Sequence, residues 1–205
     1  MYIKNLALMN YRNYESAKIT FSEGINILYG DNAQGKTNIL EAIFVAGTTK
    51  SHRGSKDREI IRFGEDEGHI RADIRKNDMN RRIDMHLKRN KTKGIAIDMV
   101  PIHRSSELLG TMNMVFFSPE DLSIIKDSPS ERRNFMDMEL CQLDKIYVSN
   151  LTNYKKVLEQ RNNLLKQISF DRSKADMLSV WDAQLLKYGI EIIRKRNNFI
   201  DLINE

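Results

Sequence analysis

Three patterns predict an α/β protein: a nucleotide-binding head with mixed and antiparallel N-terminal sheets, followed by a helical hairpin arm. The first is Gly30-Asp31-Asn32-Ala33-Gln34-Gly35-Lys36-Thr37, which fits G-x-x-x-x-G-K-[ST], the P-loop. The second is a strict alternation of apolar and charged residues between positions 67 and 98. The third is a series of apolar residues at steps of three and four across positions 151–202. The head is assigned to residues 1–117 and the arm to residues 118–205, with its coiled-coil hairpin over about 145–204.

The flanks give the P-loop match its weight. Before it, Gly24-Ile25-Asn26-Ile27-Leu28-Tyr29 is an apolar run of strand length, and after it Ile39, Leu40, Ile43 and Phe44 form a helical stripe. Strand, glycine loop and helix is the order the chemistry needs. Loop amides and the positive end of the helix then converge on phosphate. Lys36 is placed to reach the β- and γ-phosphates, and the Thr37 hydroxyl to ligand magnesium. Gly30 and Gly35 let the backbone turn and approach the ligand. A chance glycine loop before a helix is the competing reading, and both flanks argue against it.

Along the head, residues 2–14 begin as a strand through Ile3, Leu6, Leu8 and Met9, and Ser16–Phe21 forms a second short strand. The helix after the P-loop is predicted to stop near Gly47. A polar, basic loop follows, with His52, Arg53 and Lys56. A lone loop histidine is more often packing than a ligand or base. In the alternating region Ile70, Ala72 and Ile74, then Ile83, Met85 and Leu87, then Ile95, Ile97 and Met99 share one face, while Arg71, Asp73, Arg75, Arg82 and Asp84 take the other. This predicts a three-strand antiparallel meander. Asn113–Phe117 reads as a strand buried on both faces.

Two helix starts are predicted in the arm, at Ser118-Pro119-Glu120-Asp121 and, as a capping box, at Ser128-Pro129-Ser130-Glu131. Arg132 and Arg133 oppose the helix dipole there, which suggests an anionic partner or simple solvation. The hairpin seam runs through Leu151, Tyr154, Leu158, Leu165 and Ile168, with Arg161 in the gap, and returns through Leu178, Trp181, Leu185, Tyr188, Ile192, Phe199 and Leu202, with Lys195 in the gap. A polar break at 169–176 joins the two runs.

Composition bounds the function. Charged residues are 30% and apolar residues 40%, with 10 Gly and 3 Pro, so long disordered tracts are not expected. A single cysteine, Cys141, rules out an internal disulfide framework and a cysteine-based zinc site. No apolar run reaches membrane-spanning length and no secretory leader is visible, so a cytoplasmic protein is expected. The net charge of +5 is unevenly spread. Residues 50–93 carry fourteen basic and eight acidic groups, whereas 1–49 carry four of each and 94–205 fifteen and sixteen. The excess near the P-loop is either a polyanion surface or a solvated strand face.

The residues converge on a family. Leu8-Met9-Asn10-Tyr11-Arg12-Asn13-Tyr14, the P-loop through Ile43, Lys50-Ser51-His52-Arg53 and Glu59–Gly64 resemble the N-terminal part of the RecF family, within the SMC-like, ABC-type ATPases. Phe116-Phe117-Ser118-Pro119-Glu120-Asp121-Leu122 and Ser128-Pro129-Ser130-Glu131-Arg132-Arg133 are narrower marks of the same family. The resemblance implies an ABC-type head that binds ATP and magnesium through Gly30, Asp31, Asn32, Ala33, Gln34, Gly35, Lys36, Thr37 and Asn38, with Arg12 helping to hold the nucleotide. It implies ATP-driven homodimerisation and binding to single-stranded, gapped or junction DNA. It implies work beside RecO and RecR in recombinational repair and the SOS response, and no membrane association. Candidate DNA contacts are Arg53, Lys56, Arg71, Arg75 and Arg82.

The head is expected to be incomplete. Neither an ABC signature nor a strand ending in adjacent acids is visible, so hydrolysis is not expected of these residues alone. Ala33, where many related loops carry Gly, is a minor departure. Two other readings fit the sequence less well. A small-molecule P-loop kinase fits poorly with an antiparallel start and a coiled-coil hairpin. A purely structural coiled-coil protein fits poorly with a P-loop in correct context.

Overall fold

Alternating side chains build one antiparallel sheet from β1 (Tyr2–Tyr11), β2 (Tyr14–Thr20), β3 (Glu67–Lys76), β4 (Met79–Lys88), β5 (Gly94–Ile97) and β6 (Val100–Pro101). Across the sheet the order is β2-β1-β3-β4-β5-β6. The computed structural model describes residues 1–118, 121, 123–126 and 128–205. It divides into two units, Met1–Phe116 and Phe117–Glu205.

The inward residues of the sheet, Leu6, Leu8, Ile70, Ala72, Ile74, Ile83, Met85, Leu87 and Ile95, are buried. Helix α1 (Lys36–Thr48) lays Ile39, Ala42, Val45 and Ala46 into the same cluster. Each fully buried Leu, Ile or Met side chain stabilises by about 1.5–3 kcal/mol. The turn between β3 and β4 is two residues, Asn77 and Asp78, at φ 48° and 61°. Asp98 and Met99, at φ 52° and 68°, do the same between β5 and β6. Left-handed pairs match the twist of the flanking strands. Met99 is therefore an exposed turn residue and not part of the apolar face predicted for it.

Three further expectations are corrected. Residues 24–29 pair with none of the strands, and Ile25, Ile27 and Tyr29 are exposed while Leu28 alone packs on the core. The Asn26 amide instead bonds Ser22 and the Gly24 carbonyl, a local side-chain arrangement that competes with strand pairing. Residues 113–117 are also outside any ladder. Met114 and Phe116 turn toward α1 while Val115 and Phe117 are exposed, so one face is buried and not two. Helix α1 ends at Thr48, beside Gly47 as expected, but the glycine is not the residue that stops it. The left-handed cap is Thr49, at φ 69°. A Cβ at Gly47 would lie 2.1 Å from Met114 Cε and 3.1 Å from Met112 Cε, so this glycine admits the two methionines. A four-residue helix, α2 (Asp57–Ile60), follows the basic loop.

The second unit holds α3 (Ser123–Lys126), α4 (Pro129–Leu143), α5 (Lys145–Ile168) and α6 (Leu178–Asn204). The start predicted at 118–121 lies partly outside the described residues. What is described is the Asp121 carboxylate accepting from the Ser118 amide at 2.5 Å. At α4 the Ser128 hydroxyl does not cap the helix and contacts the Ser130 hydroxyl instead. Arg132 Nη1 donates to the Ile124 carbonyl at 3.3 Å.

Helices α5 and α6 form the antiparallel hairpin, joined through a 3-10 turn at Arg172–Met177. Both basic residues in the seam gaps have an acid across the pair of elements. Arg161 Nε meets Asp182 Oδ1 at 2.5 Å, and Lys195 Nζ meets Asp144 Oδ2 at 2.7 Å. Gly189 lets α6 approach the Tyr154 ring, which a Cβ would reach at 3.3 Å. The seam departs from prediction at Leu165 and Leu202, which are exposed. Leu164 is buried beside Leu165's predicted place, and Arg196 ties the far end to Asp137 and the Tyr147 hydroxyl.

Candidate phosphate-binding site

The loop before α1 turns on three residues of positive φ: Gly30 at 136°, Ala33 at 65° and Gly35 at 97°. Ala33 holds a left-handed conformation that costs an L-residue roughly 1–2 kcal/mol. Gly35 has no freedom to change. A Cβ there would lie 2.7 Å from Tyr14 Oη and 2.8 Å from the Asn13 amide. Asn13 and Tyr14 both donate to the Gln34 carbonyl at 3.4 Å, and Asn38 Nδ2 donates to Asn13 Oδ1 at 2.8 Å. The turn after β1 thus braces the loop.

Lys36 Nζ donates to the carbonyls of Gly30 at 2.7 Å and Asp31 at 2.5 Å. The ammonium is held across the mouth of the loop. The amides of Lys36 and Thr37 open the helix, where no preceding turn supplies acceptors. Thr37 is exposed at that end. Together these groups offer a cation, helix-terminal donors and a hard oxygen.

Arg12 sits at φ 51° in the turn after β1, and its guanidinium is nearly filled. Nε and Nη2 grip Glu41 at 2.8 and 2.6 Å, Nη2 also donates to Ser55 Oγ at 2.8 Å, and Nη1 donates to the Glu59 carbonyl at 3.0 Å. Among the described residues these bonds take four of the five N–H donors and leave one, on Nη1. Glu41 comes from α1, is fully buried, and also accepts from Ser51 Oγ at 2.5 Å. Burial would raise the Glu41 carboxyl, but the bonds from Arg12 and Ser51 outweigh it and hold the group below the ordinary carboxylate range. Tyr11 lies in the same cluster, its hydroxyl pushed well up by burial and by the Glu41 charge.

The network joins the β1 turn, α1 and the 50–56 loop. Arg53 Nη1 donates to Asn38 Oδ1 at 3.3 Å, which brings the basic loop to the helix start. His52 packs its ring against Phe44 and Phe116, with centroids 5.6 and 4.4 Å apart.

The other DNA candidates divide into two groups. Arg71 pairs with Asp84 at 2.6 Å, Arg75 with Asp78 at 3.1 Å and Arg82 with Asp73 at 2.9 Å, all on the sheet's solvent face. Among the described residues no such carboxylate pair involves Arg53 or Lys56. Sequence reasoning missed Asn13, Tyr14, Ser55 and the role of Glu41. The readable signal was Glu41 itself, an acid within the apolar stripe of a helix.

A family model described as "AAA domain" matches residues 5–205. The "DNA replication and repair protein RecF" of Lachnoclostridium phytofermentans is 62% identical over 205 residues, covering 100% of this chain and 57% of that protein. The chain belongs to the RecF family. The RecF of Clostridium perfringens strain SM101 is 46% identical, again over the whole chain and 56% of the relative. A solved "recombination mediator protein RecF-ATP in RecFOR pathway" superposes with a TM-score of 0.94 at 39% identity, over 98% of this chain and 54% of that one. An SMC ATPase matches in fold alone, with a TM-score of 0.54 at 22% identity over 67% of this chain and 99% of that one. The chain thus has the fold of a P-loop ABC-type head portion with a helical arm, and it spans little more than half the length of the curated relatives it matches. Among the described residues no helix is long and apolar enough to cross a membrane.

Proposed function

We propose that this chain binds ATP through Gly30–Asn38 and serves as the nucleotide-binding portion of a DNA replication and repair protein. The observation that carries the reading is the Lys36 ammonium lying across the loop mouth, held among the described residues by the Gly30 and Asp31 carbonyls. Phosphate oxygens are stronger, charged acceptors for the same donors. The exposed Thr37 hydroxyl is the hard donor that magnesium takes. When bound there, magnesium would neutralise charge on the triphosphate. Arg12 acts chiefly by fixing Glu41 and the turn that braces Gly35, with one N–H left for the nucleotide. A similar protein solved as RecF-ATP supports the choice of nucleotide.

For the whole protein we extend the proposal to the roles the family resemblance implies. They are ATP-dependent homodimerisation, binding to single-stranded, gapped or junction DNA, and action with RecO and RecR in recombinase loading. Lys36→Ala tests the core of the reading. By equilibrium binding with magnesium present, ATP affinity should drop by tenfold or more, roughly the loss of one charge-assisted bond, with the helical circular dichroism unchanged. Unaltered ATP affinity in a folded variant sinks the assignment.

A further inference from the structure

We propose that Glu67, His69 and His86 form a zinc-binding site on the solvent face of the sheet, separate from the nucleotide loop. Glu67 and His69 are two residues apart on β3, so they share a face, and His86 on β4 is the direct cross-strand partner of His69. The two imidazoles stack with centroids 4.2 Å apart and planes 20° from parallel. Glu67 Oε2 lies 2.7 Å from His86 Nε2. One ligand atom from each residue lies within 4.8 Å of the others. Zinc bonds of about 2.0–2.1 Å at tetrahedral angles set ligand atoms roughly 3.4 Å apart. Small side-chain rotations close the difference, and regular strands hold the three Cα positions meanwhile.

The donor set selects the metal. Two neutral imidazoles and a carboxylate suit zinc and its transition-metal neighbours, whereas magnesium prefers oxygen ligands and water. Surrounding charge is close to balanced: Arg71 is paired with Asp84, and Lys88 stands opposite Glu67. Across the strands the row reads Met9, His69, His86, Gly94, so the His86 side is open where Gly94 lacks a side chain. Three protein ligands leave a fourth position for water or an anionic oxygen.

Equilibrium dialysis of the chain against zinc chloride, with metal counted by mass spectrometry, tests the site. About one zinc per chain is expected, unaffected by excess magnesium or by Lys36→Ala. Zinc should also raise the melting temperature, because it binds only where β3 and β4 are paired, and EDTA should reverse the rise. Removing a ligand should cost at least what loss of an outer partner costs, roughly 10–100-fold in affinity, so His86→Ala and His69→Ala should each bind far less zinc. Should either variant fail to fold in EDTA, Glu67→Gln on the exposed rim serves in its place. Absence of stoichiometric zinc on the parent chain, or equal binding by folded variants, overturns the proposal.

Discussion

Glu41 is a fully buried carboxylate whose charge is met by two nitrogens of Arg12 and the Ser51 hydroxyl. Taking one partner from such a group leaves a charge that cannot be rehydrated. Arg12→Lys keeps the positive charge but cannot reproduce the planar fork. Loss of one charged hydrogen bond should lower stability by about 1.5–3 kcal/mol, read as a shift in the urea midpoint without a change in slope. A midpoint equal to the parent's would contradict the role given to Arg12. At this scale the sequence was half legible. Gly30, Gly35, Lys36 and Thr37 announce themselves by spacing, because the chemistry fixes their order. The Arg12–Glu41–Ser51 network is drawn from positions 12, 41 and 51, and only the fold brings those together.

Among the elements, the hairpin was the most legible, since steps of three and four over many turns allow few other structures. What periodicity could not show was where the seam drifts, from Leu165 to Leu164 and from Leu202 toward Arg196. Residues 24–29 and 113–117 show the opposite failure. Apolar content implied buried strands, but a strand exists only where a neighbour supplies its hydrogen bonds. The entry to α5 yields a pH prediction. Asp144 caps the helix by accepting from the amides of Ile146 and Tyr147, and its other oxygen meets Lys195. The Lys195 contact and the amide bonds hold this carboxyl below the ordinary value of 3.8. Its stabilisation is therefore complete above that value and is lost as pH falls through the lower, folded one. Asp144→Asn keeps a capping oxygen but has no charge to lose. Helical circular dichroism of the parent should fall on the acid side of pH 3.8 more steeply than that of the variant. Parallel acid limbs would count against the cap.

For the whole molecule, net charge misleads and pairing decides. Half of the fourteen basic residues of 50–93 sit in ion pairs, namely Arg62, Arg71, Arg75, Arg81, Arg82, Arg89 and Lys93. Arg53, which reaches Asn38 at the start of α1, and Lys56 in the same basic stretch are the DNA candidates without an ion pair among the described residues. Each lost phosphate contact should reduce the log–log salt slope of single-stranded DNA binding by roughly 0.7. Fluorescence anisotropy should show that reduction for Arg53→Ala and Lys56→Ala, and little change for Arg71→Ala. The reverse ranking would move DNA to the sheet face.

The paired charges on that face have a consequence for how the sheet assembles. A strand that shifts by two residues keeps its apolar side inward, so hydrophobic burial alone scarcely opposes the error. In the native pairing Arg71 faces Asp84 and Asp73 faces Arg82. A two-residue shift in one direction sets Arg71 against Arg82, and in the other sets Asp73 against Asp84. Like charges directly opposite are destabilising. The arginines that looked like a docking surface thus proofread the alignment of β3 and β4, rejecting the two misalignments that greasy contacts would let pass.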